Sequence, residues 1–258
     1  MYSITIRKSA LILSASTLAL PVSNAALLRI TVEAPSNLGL APAAISFHDG
    51  SNDFFDTGSA ASAGLEVLAE LGGTGPLLDS LTTGDNISIM NSGGPFTPGS
   101  SNSAVLEVDE MNTTFSFASM LLPSNDWFIG NNNGIDVSSL LSGALGTTEI
   151  FEFGRVYDAG TELENFSESP GNPFIGLTAG NPAASTAQNG VVTLVDAADP
   201  FSAFLNADAG FDSSLFDFNA NGVGETVLGR VTITVIPEPS TALLSALAGL
   251  GLLARRRR

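Results

Sequence analysis

Two short stretches gather residue types suited to holding a hard cation. Asp126 follows Pro123, Ser124 and Asn125, which break an apolar run at 115–122. Asp158 and Glu162 follow an alternating run at 149–157, with Gly160 between them to let the backbone turn. Calcium takes roughly six to eight oxygens from carboxylates, carbonyls and water, usually from adaptable loops. Two strand ends that each deliver carboxylates into a loop could share one such ion. The same acids are also what ordinary turns use, and spacing alone leaves that alternative standing.

Other chemistry is thinly represented. The chain has no cysteine, which excludes disulfides, thiolate metal sites and thiol nucleophiles. Its one histidine, His48, stands beside Asp49, but no Gly-x-Ser-x-Gly elbow accompanies them. His48 therefore reads as a strand-ending ring bonded to a loop carbonyl rather than as a catalytic base. The run Asp217-Phe218-Asn219-Ala220-Asn221-Gly222 begins like an EF-hand loop, yet Leu228 stands where the bidentate glutamate belongs, so it reads as an Asn-Gly turn. Asp208 and Asp212 beside it keep a second, weak cation site open. No phosphate loop or dinucleotide fingerprint occurs.

The charge distribution narrows the class of partner. Formal net charge is −17, and Arg29, Arg155 and Arg230 are the only cations between residues 26 and 235, against every acid except Glu238. Such a field repels phosphate backbones, so no nucleic-acid partner is expected, whereas cations are attracted. At 258 residues and 44% hydrophobic content, the chain can bury a substantial core.

The elements that must position the acids are mostly strands. Leu28, Ile30 and Val32 alternate with polar neighbours, as do Val231, Ile233 and Val235, so a first and a last strand of the same design could pair. Further strands are expected at 41–47, 86–90, 103–109, 115–122, 149–157, 191–195 and 201–205, the last of the series spanning 227–235. Leu65, Leu68 and Leu71 share a helical face before Gly72-Gly73, and 77–81 and 135–141 have room for further turns of helix. The glycine- and proline-rich run at 161–189 reads as surface loop. Short strands, frequent turns and one or two short helices predict an antiparallel β-sandwich.

Both ends depart from this pattern. Residues 1–25 place Arg7 and Lys8 before an apolar run at 10–22 and end in Ser23-Asn24-Ala25, the layout of a signal peptide cut by signal peptidase. At 236–258 the chain runs through Pro237-Glu238-Pro239, an apolar stretch at 241–254 and four arginines. As a helix that stretch spans about 21 Å, short of a hydrocarbon core of about 30 Å, which predicts transient membrane contact. The three parts in this order resemble the PEP-CTERM sorting signal. The resemblance implies recognition by an exosortase and release to the cell surface or extracellular matrix of a Gram-negative bacterium.

Asp126-Trp127-Phe128-Ile129-Gly130, followed by Asp158-Ala159-Gly160-Thr161-Glu162, resembles the spondin N-terminal domain, whose pattern is an Asp-Trp motif and a later Asp-Ala-Gly-Thr-acid motif. The likeness extends over 27–235 and suits the bacterial branch of that family. It implies a β-sandwich similar to calcium-dependent membrane-targeting domains, with calcium held by Asp126, Asp158 and Glu162. Glu162 stands where the animal domains carry aspartate, one methylene shorter. Trp127 reads as a core plug beneath the loop. The function expected from these pieces is an exported, calcium-binding adhesive or structural module that meets exopolysaccharide or another surface component. A secreted hydrolase acting on matrix polysaccharide is the competing expectation.

Overall fold

The computed structural model describes residues 25–36, 38–122, 124–163, 186–195 and 227–238. The expected leader at 1–25 except Ala25, the strand at 201–205, the acids Asp208, Asp212 and Asp217, and the apolar tail all lie outside them.

Strand β1, Ala25–Glu33, exposes and buries alternate residues, as its sequence alternation predicts. It lies antiparallel between β5, Ser101–Asp109, and β12, Gly229–Val235, with Ile30 opposite Ile233. Strand β9, Thr148–Phe153, completes a four-stranded sheet in the order β5-β1-β12-β9. The expected pairing of first and last strands is thus what closes this sheet.

The second sheet is larger. Its path runs β11-β10-β7-β6-β3-β4, formed by Thr193–Leu194, Val156–Asp158, Trp127–Gly130, Thr114–Leu122, Ala43–His48 and Asp85–Ile89 respectively. Short β2, Gly39–Leu40, and β8, Ile135–Asp136, also pair with β6. All the described pairings are antiparallel, so the fold is mainly β with two facing sheets.

Between the sheets, Leu28, Ile30 and Val32 meet Phe47, Phe117, Ile129, Val231 and Ile233. Phe117 stacks on Phe153 with ring centroids 4.4 Å apart, and Phe115 on Phe151 at 5.1 Å. The larger sheet also buries its outer face. Helix α1, Ala63–Leu71, lays Leu65, Leu68 and Ala69 against it together with Phe54, Phe55, Phe128 and Tyr157. Ser62 caps α1 by accepting the Leu65 N–H, and Gly72 ends it with φ of 68°. Helices α2, Gly75–Asp79, and α3, Ser138–Leu141, fall where the sequence leaves room for further helical turns, and bring the helices among the described residues to three. Covered on both sides, β6 has no solvent face, and its Ser116 and Ser119 are buried along with the apolar residues between Phe115 and Leu121.

The single strand expected at 149–157 is instead two. β9 pairs with β12 in the smaller sheet and β10 with β7 in the larger, and Gly154-Arg155 form the corner between them. The apolar phase of Phe151 and Phe153 slips at Gly154-Arg155 to Val156, a break too short for periodicity over nine residues to resolve. Strand β7, directly after Asp126, was also hidden, because its WFIG run is buried on both faces.

The exit of the chain from β12 and the acidic loops lie toward opposite ends of β1. Ile236 N–H donates to Leu27 O at 2.8 Å, so the chain leaves β12 beside the start of β1. Leu122, four residues before Asp126, pairs with Gly39 just beyond the far end of β1.

Candidate metal site

Strands β7 and β10 run side by side, with Asp158 opposite Trp127. This pairing sets the start of β7 against the end of β10 and brings Asp126 to the loop at 159–162. The contact is direct. Asp126 Oδ2 accepts the Thr161 N–H at 2.8 Å, the Glu162 N–H at 3.0 Å and the Thr161 hydroxyl at 3.2 Å. The Ala159 N–H donates to Asp126 O at 3.1 Å, so backbone and side chain both hold the loop.

The loop needs its glycine. Asp158 Oδ1 accepts the Gly160 N–H at 2.6 Å, which turns the chain back on itself. Gly160 has φ of 70°, a left-handed value that side chains resist. A Cβ there would stand 2.7 Å from Val191 O. Beyond the turn, Gln188 N–H donates to Thr161 O and Leu163 N–H to Thr186 O, so the described ends of the long 161–189 run close on each other.

The electrostatics are those of crowded, half-dehydrated acids. Asp126 is fully buried, and desolvation pushes its carboxyl up against the opposing pull of the loop N–H groups. Asp158 is raised to about 6, chiefly by burial and then by the charge on Asp126. The Trp127 indole acts in the other direction, favouring the charged form of Asp158. Trp127 is 1% exposed and belongs to the inter-sheet core, so it both fills that core and faces the site.

Glu70, on α1, is a member that sequence reasoning missed. Its carboxyl is raised by burial and by the neighbouring charges of Glu162, Glu66 and Asp126. Only the packing of α1 beside the loop reveals this, because Glu70 is far from both motifs in sequence. Its one available signal was its place on the polar flank of the predicted helix.

Calcium is the ion that the resemblance implies, and one feature tests the fit. Asp126 Oδ1 is buried without a hydrogen-bond partner, although its sister oxygen accepts three. A buried carboxylate oxygen left this way costs free energy unless a cation or water meets it. Among the described residues, no three His, Cys, Asp or Glu side chains converge closely enough to hold a metal by themselves. The donors are hard oxygens, and a cation at Asp126 Oδ1 would draw on Asp158 and complete its shell with carbonyls and water.

His48 shows a different arrangement. Its Nδ1 accepts the Gly50 N–H at 3.1 Å, which places the ring proton on Nε2, 3.0 Å from Ser116 Oγ. Its partners are therefore an amide and a buried hydroxyl rather than the expected carbonyl. The ring is a hydrogen-bond donor toward Ser116 and has no free lone pair with which to take that residue's proton. Burial lowers its pKa, against the charge on Asp49.

A two-sheet antiparallel sandwich, with an Asp-Trp strand start tied to a downstream Asp-Ala-Gly-Thr-Glu turn, defines a β-sandwich domain with an acidic loop site. The chain belongs to the spondin N-terminal domain family: the profile described as Spondin_N matches residues 41–174. Residues 235–258 match the PEP-CTERM protein-sorting motif, so the protein is exosortase-sorted and exported to the cell envelope or surface. A search of curated proteins finds no match. Among the described residues, no helix is long and apolar enough to cross a membrane.

Proposed function

We propose that this is a calcium-binding adhesive or structural module of the bacterial envelope or exopolysaccharide matrix, with the ion at Asp126 and Asp158, its shell completed by carbonyls, water and, once its side chain turns inward, Glu162. The observation that carries the reading is the unpartnered, buried Oδ1 of Asp126, beside an Asp158 carboxyl raised to about 6. Calcium supplies positive charge that offsets these acids. The chain's own residues do the rest: Asp126 Oδ2 fixes the 160–162 backbone, Asp158 holds the Gly160 turn, and Trp127 keeps water from one side. Glu70 adds negative charge at the rim.

The fold also supports an outward-facing role. The chain runs from β12 into its sorting segment beside the start of β1, and the acidic loops lie beyond the other end of that strand. While the tail holds the protein at a membrane, the loops would face away from it and toward partners. A secreted hydrolase would need another base, since the His48 lone pair is occupied by the Gly50 N–H.

Fractionation of the producing cells tests the role. The wild type should be retained with the envelope or matrix in calcium and released by a chelator, and Asp158→Asn should be released in both conditions. Retention of both proteins regardless of chelator would contradict a calcium-dependent module. Release of reducing ends from the organism's own polysaccharide by the purified protein would replace the reading with the hydrolase.

A further inference from the structure

A groove on the outer side of the larger sheet, at the β11 edge, is built unlike the rest of this acidic surface. Thr57, Asn132, Asn133, Arg155, Tyr157 and Leu194 line a solvent-open cavity of about 370 Å³. No carboxylate lines it, in a chain with 26 acids. Arg230, by comparison, is held by Glu33 at 3.0 Å and Glu152 at 2.9 Å. Arg155 is exposed at the Gly154-Arg155 corner, where its contact is with the Tyr157 hydroxyl, and it pairs with no carboxylate among the described residues.

The groove is rigid and rich in donors. Tyr157 is fixed from below, stacked on Phe128 at 5.7 Å and edge-on to Phe55 at 4.8 Å. Asn132 Oδ1 accepts the Thr57 N–H at 2.8 Å, which joins two walls and leaves the Asn132 amide N–H groups for a ligand. Leu194, opposite Tyr157 in register and 45% exposed, adds a small apolar patch. A guanidinium fork suits a carboxylate, amide and hydroxyl groups suit sugar hydroxyls, and the apolar patch suits the C–H face of a ring. The groove is open to solvent, so a residue within a long polymer could enter it.

We propose that this groove binds a uronic-acid unit of an acidic polysaccharide, with the carboxylate on Arg155 and the ring hydroxyls on Asn132, Asn133 and Thr57. The assignment deepens the matrix-module reading by naming a partner class, and it places that partner apart from the cation site. Contact with one sugar is weak, and the net charge of −17 repels a long polyanion, so the groove favours short stretches of the polymer and binds them better as salt screens that repulsion.

The test is titration of the mature protein with oligogalacturonate, neutral malto-oligosaccharide and inorganic phosphate, each with calcium and with chelator. Oligogalacturonate should bind in chelator, and neither of the other probes should match it. Arg155→Gln should weaken binding by about tenfold or more, the loss of one charge-assisted contact. Asn132→Asp keeps the acceptor for Thr57 N–H while putting an anion in the groove, and should abolish binding with melting unchanged. Asp158→Asn should bind as the wild type does, which separates this site from the metal reading. Equal binding of the neutral sugar or of phosphate, unchanged binding in Asn132→Asp, or binding that needs calcium and disappears in Asp158→Asn would each overturn the proposal.

Discussion

Asp126 holds Thr161 at two points, accepting its N–H at 2.8 Å and its hydroxyl at 3.2 Å on a single oxygen. The loops expected to be joined by a metal are therefore already joined by a side chain. A cation at the other oxygen, Oδ1, would add to that link and offset the charge it buries. This separates two roles that the sequence presents as one: Asp126 organises the loop, and Asp158 tunes its charge.

Removing the organiser should be costly whether or not calcium is present. Asp126→Ala strips the acceptor from three part-buried donors and should destabilise the domain by about 2–4 kcal/mol. Asp126→Asn keeps one oxygen acceptor and should cost less. Chemical denaturation in chelator measures both, and an alanine variant as stable as the wild type would remove Asp126 from its structural role.

The turn at Gly160 should tolerate no side chain. Gly160→Ala combines a left-handed φ with a Cβ 2.7 Å from Val191 O, and should cost more than about 1 kcal/mol. The displaced loop should also bind calcium more weakly. Unchanged stability in the alanine variant would show that the loop is free to relax.

Acid should strengthen the calcium-free site. Asp158 has a folded pKa of about 6, above the ordinary aspartate value, so the folded state holds its proton more tightly than the unfolded chain does. Its contribution is therefore least unfavourable at low pH, and stability is lost as pH rises from the unfolded value through about 6. Calcium must displace that proton, so affinity should fall as pH drops through the same range. Asp158→Asn should remove both trends, as melts and calcium titrations between pH 4.5 and pH 7.5 would show.

His48 should act with the opposite sign. Burial lowers its pKa, so the folded state favours the neutral ring and stability is lost as pH falls below the unfolded value of about 6.5. Protonation would also put a hydrogen on Nδ1, against the Gly50 N–H. His48→Gln should reduce this acid sensitivity, and an identical acid limb in wild type and variant would exclude the histidine as its source.

Much of the architecture was legible because it depends on one-sided burial. β1 and β12 alternate since each has one wet face, and that pattern indicated both strands and their pairing. β7 and the β9–β10 corner were not legible. The WFIG run is buried on both sides and carries no period, and the slip of phase at Gly154-Arg155 is too short to mark the change of sheet. At the site, the two motifs pointed to the loops that meet, with Asp158 beside Asp126, but not to Thr161 and Glu162 meeting Asp126 through their backbone N–H groups. Glu70 depends on helix packing across the chain, which no local spacing encodes.

The most direct test is a thermal melt of wild type and Asp158→Asn, each with calcium and with chelator at neutral pH. Asparagine retains Oδ1 for the Gly160 N–H, so this variant removes charge while keeping the turn. At calcium about a hundredfold above Kd, mass action predicts about 2.7 kcal/mol of added stability for the wild type and a much smaller gain for the variant. Wild-type protein that melts at the same temperature in calcium and chelator would contradict the calcium site.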